Sequence, residues 1–181
     1  ITELALPGVL LLTPNIYDDE RGHFFEAFNA AAFARATGHA APFIQDNQSR
    51  SHKGVVRGLH FQLPPYQHSK VVFCPMGAIL DVIVDLRADA DTYGQCYATV
   101  LSADNHKAYF IPEGFAHGFK ALTDDAMTYY LVSSEYSKDH DTGILYNSLD
   151  FDWEVDNPII SARDLSFTSL ADFQSPFRMA L

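Results

Sequence analysis

Arginine, histidine and lysine occur close together in a segment that otherwise has the pattern of a β-strand. Arg57 and His60 lie within residues 54–62, and Lys70 follows shortly afterwards. Because cationic side chains are rarely buried without a partner, their presence predicts that this segment lines a cavity. A base, a positive charge and an anion-binding group on one wall are suited to proton transfer next to a carbonyl group of an anionic substrate.

Other polar and aromatic residues are weaker candidates when each is taken by itself. His117 lies between glycine-containing turns and could cap a hairpin as well as serve a site. One ring of the Tyr129–Tyr130 pair should face inward, because side chains alternate along a strand, but a buried tyrosine usually belongs to a core. Asp164 has the pattern of an ordinary carboxylate in the tail, and residues 45–47 (Gln-Asp-Asn) have that of a polar turn.

A metal site is the main alternative for histidines in a β-rich chain. Metal-binding cupins place two histidines two residues apart, followed by a glutamate and a distant histidine, but here Gln62 stands at the second histidine position. His68 is too far along the chain to complete the pair, and no glutamate occurs between His60 and Pro75. Because an amide is a poor ligand for transition metals, we expect no tightly bound metal and no cofactor.

Short β-strands separated by turns must position these residues. Apolar or alternating runs predict strands at residues 8–13, 43–49, 55–62, 71–74, 79–86, 97–101, 108–111, 118–122 and 127–132. One helix is predicted at residues 30–36, with Asn29 as its N-cap and Gly38 at its C-terminal cap. Many short strands at this spacing favour a sandwich or barrel, and a jelly roll fits well.

Length, charge and composition narrow the class of protein. We expect residues 1–181 to form one domain, with a tail that is irregular from Ser148 and weakly helical after Ser161. The net charge of −11 argues against a nucleic-acid partner, which would need a basic stripe. Cys74 and Cys96 form neither a metal motif nor a disulfide framework. Without a long apolar run or a signal pattern, the sequence predicts a cytoplasmic enzyme with no membrane partner.

Several short motifs, in their order along the chain, carry a family resemblance. They are Asp19-Glu20-Arg21-Gly22, Phe25-Glu26, Gln45-Asp46-Asn47, Arg57-Gly58-Leu59-His60-Phe61-Gln62, Lys70, Asp81-Val82 with Asp85-Leu86-Arg87, and Pro112-Glu113-Gly114-Phe115-Ala116-His117-Gly118. Together they resemble the dTDP-4-dehydrorhamnose 3,5-epimerase family, from about Pro7 to Asp164. The resemblance implies a mainly β, cupin-type jelly roll (a double-stranded β-helix) with one short N-terminal helix. It also implies a homodimer with exchanged N-terminal strands and a metal-free enzyme acting on nucleotide-linked 4-keto-6-deoxy sugars.

The resemblance assigns roles to individual residues of this chain. It makes His60 the general base, Asp164 the carboxylate that orients it, Lys70 the cation near the keto oxygen, and Tyr130 the proton donor from the opposite face. A 4-keto group acidifies the C–H bonds at C3 and C5, so these residue types suit inversion through an enolate. The remaining matched positions are implied to contact nucleotide, diphosphate or sugar: Arg21, Glu26, Gln45, Asn47, Arg57, His117, Asp141 (a glutamate in the family), Arg163 and Tyr136.

Some positions depart from the family pattern. Most members carry a lysine and then two aromatic residues after the proposed donor, whereas this chain has Leu131 and then Glu135-Tyr136. Tyr136 would therefore stack alone on the nucleobase. The usual Gln-Gly before the lysine is His68-Ser69, and a Trp-Asn pair is Tyr146-Asn147. These changes fall where the base and the far edge of the sugar should bind, so the nucleotide and the number of inverted carbons stay open.

The function that we predict from the sequence is conversion of dTDP-4-dehydro-6-deoxy-D-glucose to dTDP-4-dehydro-L-rhamnose by inversion at C3 and C5. An alternative is inversion at C3 only or C5 only, on a dTDP-, CDP- or GDP-linked 4-keto sugar. A sugar 3,4-ketoisomerase, a non-catalytic sugar-nucleotide binding protein and a metal-dependent cupin are the remaining alternatives. Retention of His60, Tyr130 and Asp164 argues against the binding protein, because binding alone needs no opposed acid and base.

Overall fold

Short strands make up most of the regular structure in a computed structural model of the chain, which describes residues 1–38, 40 and 43–179. The strands are β1 (Thr2–Glu3), β2 (Leu10–Leu12), β3 (Tyr17–Asp19), β4 (Gly22–Phe24), β5 (Gln45–Ser51), β6 (Val56–Gln62), β7 (Lys70–Met76), β8 (Ala78–Asp85), β9 (Cys96–Ser102), β10 (Ala108–Ile111), β11 (Phe115–Ala121), β12 (Ala126–Val132) and β13 (Asp141–Gly143). The described part also has one α-helix, α1 (Ala30–Thr37), and 3₁₀ turns at Tyr146–Ser148 and Asp164–Ser166.

The strands form two antiparallel sheets and a separate hairpin. One sheet has the order β1-β2-β10-β7-β12-β5, the other has the order β13-β6-β11-β8-β9, and β3 pairs with β4. Strands that are distant in sequence are neighbours in both sheets, as Greek-key connections require. This arrangement confirms the predicted jelly roll.

Apolar clusters lie between the sheets and on their outer faces. The central cluster takes residues from both sheets, among them Val72, Ile83 and Tyr109. A second cluster covers the five-stranded sheet with the C-terminal tail, where Trp153 and Phe177 are buried. Burial of this apolar area stabilises the sheets at roughly 25 cal/mol per Å², and it holds an otherwise irregular tail in place.

The predicted helix is confirmed, with an end one residue later than expected. The Asn29 side chain accepts a hydrogen bond from the Ala32 amide at 2.9 Å, which satisfies a free donor of the first turn. Gly38 ends the helix with φ of 75°, a left-handed conformation that glycine adopts without a steric cost. Phe33 is buried and fixes the helix against the outer face of the six-stranded sheet through Phe110.

The strand predicted at residues 43–49 is observed as β5, shifted by two residues, because β5 pairs with β12 over its whole length, with Asn47 opposite Tyr130. One expectation about local structure was wrong. Strand β11 begins at Phe115, three residues before the predicted start, because it pairs with β8 from Phe115 to Ala121. Tertiary pairing overrode local turn preference there. The irregular tail was predicted correctly as far as Met179, and its last residues lie outside the described part.

No helix among the described residues is long and apolar enough to cross a membrane.

Candidate active site

A cavity of about 250 Å³ opens between the two sheets. His60 reaches it from β6 of the five-stranded sheet, and Lys70 and Tyr130 reach it from β7 and β12 of the six-stranded sheet. The cavity therefore has potential acid and base groups on opposite walls. Its lining consists of Gln45, Asn47, His60, Phe61, Gln62, His68, Lys70, Tyr130, Val132, Ser134, Tyr136, Asp141 and Arg163.

His60 and Asp164 form a hydrogen-bonded pair at the cavity wall. His60 Nε2 lies 2.9 Å from Asp164 Oδ1, and the Gly58 amide donates to Asp164 Oδ2 at 3.0 Å. Burial alone would raise the pKa of Asp164, but the hydrogen bonds from His60, Gly58 and Ser161 together lower it below the usual value of 3.8. Asp164 is therefore an ionised carboxylate that can stabilise a protonated imidazole.

A second histidine–aspartate pair lies directly behind the first. His117 on β11 is the cross-strand partner of His60, and its Nε2 lies 2.8 Å from Asp81 Oδ2 on β8. Both side chains are buried, and neither lines the cavity. Burial lowers the pKa of His117 and raises that of Asp81, in each case against the attraction of the partner. The structure thus places His117 behind the cavity wall rather than in it.

Lys70 is a buried lysine beside both histidine pairs. Its Nζ donates to the backbone oxygen of His60 at 3.3 Å and lies 6.0 Å from the centre of the Tyr130 ring. Desolvation lowers the pKa of Lys70 from 10.5 to about 8, while the charges of Asp141 and Asp81 oppose that shift. The ammonium group is therefore present at neutral pH and is poorly solvated, which strengthens any hydrogen bond to an oxygen in the cavity.

Tyr130 points into the cavity, and its neighbour points away. Tyr129 donates a hydrogen bond to Asp46 Oδ2 at 2.5 Å on the outer side of the sheet, as the alternation of side chains along a strand predicts. Burial raises the pKa of Tyr130, with a smaller contribution from the charge of Asp141. The phenol therefore keeps its proton and can donate it.

Polar groups and one exposed aromatic ring surround the mouth of the cavity. Gln45 accepts a hydrogen bond from the Tyr136 amide at 3.2 Å and donates to Asn47 Oδ1 at 3.0 Å. The Tyr136 side chain is exposed. Arg163 forms an ion pair with Asp141 at 2.7 Å, and Arg163 Nη2 also contacts the Asp141 backbone oxygen. These residues come from separate parts of the sequence and meet at the mouth of the cavity.

Four of the residues predicted to bind substrate lie outside the cavity lining: His117, which lies behind the wall, and Arg57, Arg21 and Glu26. Arg57 is exposed and donates to Ser51 Oγ at 3.0 Å. Arg21 lies in the exposed β3–β4 hairpin and pairs with Asp19. Glu26, also exposed, accepts a hydrogen bond from Asn29 Nδ2 at 3.1 Å. Within one chain, the structure does not bring Arg21 and Glu26 to the site.

Reasoning from residue types missed some members of the site. Asp81, a carboxylate within the apolar run of β8, was noted only as part of a family motif, although a charged group in such a run usually signals a buried partner. Gln62 was noted as part of a family motif and His68 as a departure from the family pattern, but neither was predicted as a site residue, and both line the cavity. The described residues include no group of three or more His, Cys, Asp or Glu that could hold a metal ion.

Comparisons of the sequence with known proteins indicate one family. The sequence model of dTDP-4-dehydrorhamnose 3,5-epimerase matches residues 3–172. The dTDP-4-dehydrorhamnose 3,5-epimerase of Shigella flexneri is 42% identical over 174 residues, which cover 95% of this chain and 96% of that protein.

Solved structures agree with the sequence comparison. The dTDP-6-deoxy-D-glucose-3,5-epimerase of Legionella pneumophila, solved with dTDP-4-keto-L-rhamnose, has a TM-score of 0.92 and 34% identity, covering 98% of this chain and 97% of its own. A 3'-monoepimerase of Streptomyces bikiniensis, solved with dTDP-quinovose, has a TM-score of 0.88 and 31% identity, covering 94% of this chain and 88% of its own. Proteins similar to this chain thus include both a double epimerase and a single one.

Proposed function

Because this chain belongs to the dTDP-4-dehydrorhamnose 3,5-epimerase family, we propose that it inverts C3 and C5 of dTDP-4-dehydro-6-deoxy-D-glucose, giving dTDP-4-dehydro-L-rhamnose. The observation that carries the proposal is the opposed placement of His60, paired with Asp164, and Tyr130 across one cavity. Inversion of a carbon requires that a proton leave one face and return to the other, so it needs groups on both sides.

His60 acts as the general base in this proposal. The neutral imidazole removes the proton from C3 or C5, and the electron pair of the C–H bond moves through the ring carbon to the C4 oxygen, forming an enolate. The imidazolium that results faces the ionised Asp164 at 2.9 Å, which stabilises the charge. General-base catalysis of this kind contributes roughly 10²- to 10⁴-fold in rate.

Lys70 stabilises the negative charge that develops on the C4 oxygen. Its ammonium group is buried in the wall between the base and Tyr130. A hydrogen-bond donor placed in advance at a developing oxyanion is worth about 10²- to 10³-fold in rate. Deprotonation at either C3 or C5 puts charge on this same oxygen, so one lysine serves both carbons.

Tyr130 returns a proton from the opposite face. An enolate carbon is basic enough to take a phenolic proton, and the raised pKa of Tyr130 favours the protonated phenol before transfer. The tyrosinate that forms is then close to the ammonium group of Lys70, 6.0 Å from the ring centre, which reduces the cost of the negative charge.

The nucleotide and diphosphate lie at the mouth of the cavity in this proposal. Tyr136 stacks on the base, Arg57 and Arg163 contact the diphosphate, and Gln45, Asn47 and Asp141 hold the sugar and nucleoside. Arginine suits this position because its planar donors match phosphate oxygens bidentately. The burial of His117 favours a role in supporting His60 over the direct contact that the family resemblance implied.

Two further residues fit a homodimer in which N-terminal strands are exchanged. Arg21 and Glu26 are not part of the lining of the cavity in their own chain, so they would contact substrate if they entered the site from a second copy. Tyr17 and Phe24 of the β3–β4 hairpin are 63% and 70% exposed, and an apolar groove nearby is lined by Phe28, Phe73 and Leu131, among others. Contact between two copies would cover these apolar surfaces. A cytoplasmic location is part of the same proposal.

Proton NMR in D₂O tests the proposed function directly. The protein is incubated with dTDP-4-keto-6-deoxyglucose and a reductase that traps the product. Deuterium at both C3 and C5 together with an L-sugar product would support the 3,5-epimerase. Deuterium at one carbon would instead indicate a single epimerase, the second candidate that the Streptomyces bikiniensis structure raises.

Other outcomes separate the remaining classes of function. Exchange only with a CDP- or GDP-linked sugar would keep the chemistry and change the nucleotide. A shifted carbonyl group in the product would indicate a 3,4-ketoisomerase. Tight binding without exchange would indicate a binding protein, and stoichiometric iron or manganese in the active protein would overturn the metal-free mechanism.

A further inference from the structure

We propose that Phe167 is a positioning residue for two parts of the site, the imidazole of His60 and the guanidinium of Arg163. The inference rests on the proposed function, because it concerns the base and a diphosphate-binding residue of the same cavity. The Phe167 ring does not line that cavity, so it acts through the two side chains that it touches.

One turn of the tail brings both Asp164 and Phe167 to His60. The 3₁₀ turn Asp164–Ser166 ends at Phe167. The Asp164 carboxylate bonds His60 Nε2 at 2.9 Å, and the half-buried Phe167 ring lies 5.7 Å from the imidazole, centre to centre, at an interplanar angle of 83°. This edge-to-face geometry is favourable for two aromatic rings. The imidazole is therefore held by a hydrogen bond and by a ring contact.

The hydrogen bond to Asp164 by itself leaves one movement of the His60 ring open. Because an ionised carboxylate only accepts hydrogen bonds, His60 Nε2 carries a proton, and Nδ1 is the atom that can act as the base. Rotation about the Cβ–Cγ bond moves Nδ1 further than Nε2, and the energy well of this torsion is broad. The contact with Phe167 restricts that rotation and so fixes the direction of Nδ1.

Gly143 leaves the space that the Phe167 ring occupies. Gly143 on β13 is the cross-strand partner of His60. A Cβ atom at position 143 would lie 2.5 Å from Phe167 Cε2 and would also clash with the backbone oxygen of Leu59. The ring can therefore pack beside His60 only because this residue has no side chain.

The same ring supports Arg163 at the mouth of the cavity. The guanidinium carbon of Arg163 lies 5.0 Å from the centre of the Phe167 ring, within the range of a cation–π interaction. Arg163 also pairs with Asp141, but an exposed ion pair holds a long side chain only weakly. A second contact orders the guanidinium before substrate binds, which lowers the entropic cost of binding. Phe167 should thus affect turnover through His60 and substrate affinity through Arg163.

Two variants at position 167 test the proposal. Phe167→Leu keeps an apolar side chain but removes the flat ring, so kcat for exchange should fall about tenfold at both C3 and C5, because one base serves both carbons. KM should rise about two- to fivefold, because the cation–π contact is lost. Phe167→Tyr keeps the ring and should keep both constants close to those of the original protein. Deuterium exchange followed by NMR over a range of substrate concentrations measures both constants.

A second substitution shows whether the ring acts through the arginine. In an Arg163→Ala background, Phe167→Leu should still lower kcat about tenfold, but it should leave KM unchanged, because the partner of the second contact is already absent. A general loosening of the tail would give no such division between kcat and KM.

Phe173→Leu is the matched control. Phe173 lies in the same tail and is also half-buried, but its ring packs edge-to-face on Phe61, at 5.2 Å, rather than on His60. This variant should lower the melting temperature, as Phe167→Leu does, without changing kcat or KM.

Specific results would overturn the proposal. These are an unchanged kcat in Phe167→Leu, equal losses in the Leu and Tyr variants, equal losses in Phe167→Leu and Phe173→Leu, or a KM effect that persists in the Arg163→Ala background. A wild-type protein that exchanges neither carbon would refute the proposed function and this inference together. An active wild-type protein with an unaffected Phe167→Leu variant would refute this inference alone.

Discussion

Two histidine–aspartate pairs have their histidines on neighbouring strands of one sheet, and the two histidines differ in burial. The bonds are of similar length, 2.9 Å for His60–Asp164 and 2.8 Å for His117–Asp81. The side chain of His60 is 32% exposed, whereas that of His117 is 6% exposed. The pKa of Asp164 is lowered by its hydrogen bonds despite burial, and the pKa of Asp81 is raised by burial despite its histidine.

The contrast shows that one pair of residue types can serve two purposes. At His60, partial exposure and an ionised partner allow the imidazole to take up a proton. At His117, a charge would be taken fully out of water, which is costly unless every polar atom is satisfied. Asp81 Oδ1 has no hydrogen-bond partner in the described part of the chain. We therefore assign chemistry to the first pair and support of the wall to the second.

The largest effect is expected from removing the base of the exposed pair. His60→Ala should lower solvent deuterium uptake at both C3 and C5 by about 10⁴-fold, because no other group at that face can take the proton. NMR exchange rates measure this, with His140→Ala as a control that should retain them. Uptake at the wild-type rate in His60→Ala would show that another residue is the base and would contradict the chemical role given to the His60–Asp164 pair.

The buried pair should respond in stability rather than primarily in chemistry. His117→Ala leaves Asp81 buried and unpaired, which should lower the free energy of unfolding by about 3–5 kcal/mol. Denaturant titration measures this loss, and His60→Ala should lose much less because Asp164 keeps the hydrogen bond from the Gly58 amide. Equal losses for the two variants would show that burial does not separate the pairs.

The donor facing the exposed pair should affect inversion and spare exchange. Tyr130→Phe keeps the ring but removes the phenolic proton, so the product should form about 10²-fold more slowly. Exchange should continue, because His60 can return a deuteron to the face from which it took the proton. The ratio of exchange to inversion, measured by NMR and product trapping, should therefore rise. Full inversion by this variant would rule out the role proposed for Tyr130.

The smallest effect is a pH dependence from Lys70, which lies between the two pairs. Its folded pKa of about 8 is below the unfolded value of 10.5, so the ammonium group is lost as pH rises through about 8, and kcat should fall up to about tenfold per pH unit above it. Over the interval between the two values the unfolded state binds more protons, so the contribution of Lys70 to stability should increase with pH.

A conservative variant checks that assignment. Lys70→Arg carries a group that stays protonated, so the decline in kcat above about pH 8 should move to higher pH. A pH–rate profile in which the decline is the same for both proteins would assign it to another group, such as Tyr130.

Sequence reasoning recovered the strands with a strong apolar pattern and the capped helix. The helix was predictable because Asn29, the alanines after it and Gly38 act locally. Strand β5 was predicted at residues 43–49, but its bounds were shifted, since Gln45, Asp46 and Asn47 favour turns by themselves and pairing with β12 sets the strand from Gln45 to Ser51. Local preference is weak for such residues, and a cross-strand partner decides.

The residues of the candidate site were also predicted only in part from the sequence. Motif resemblance identified His60, Lys70, Tyr130 and Asp164, but residue types by themselves gave Asp164 no special place, because nothing in the tail indicates that it returns to β6. The roles of Arg21 and Glu26 stay predictions, since the structure of one chain leaves both outside the cavity.

The amino-acid sequence by itself determined the class of fold, the helix with its caps and, through its motifs, the family, because these depend on local pattern and residue order. Only the tertiary structure decided that His60 meets Asp164 across 104 positions of chain, that His117 is shielded from the cavity, and that Phe167 packs on the ring of His60. Burial and hydrogen-bond partners set the protonation state of each group, and both arise from contacts between residues far apart in the sequence.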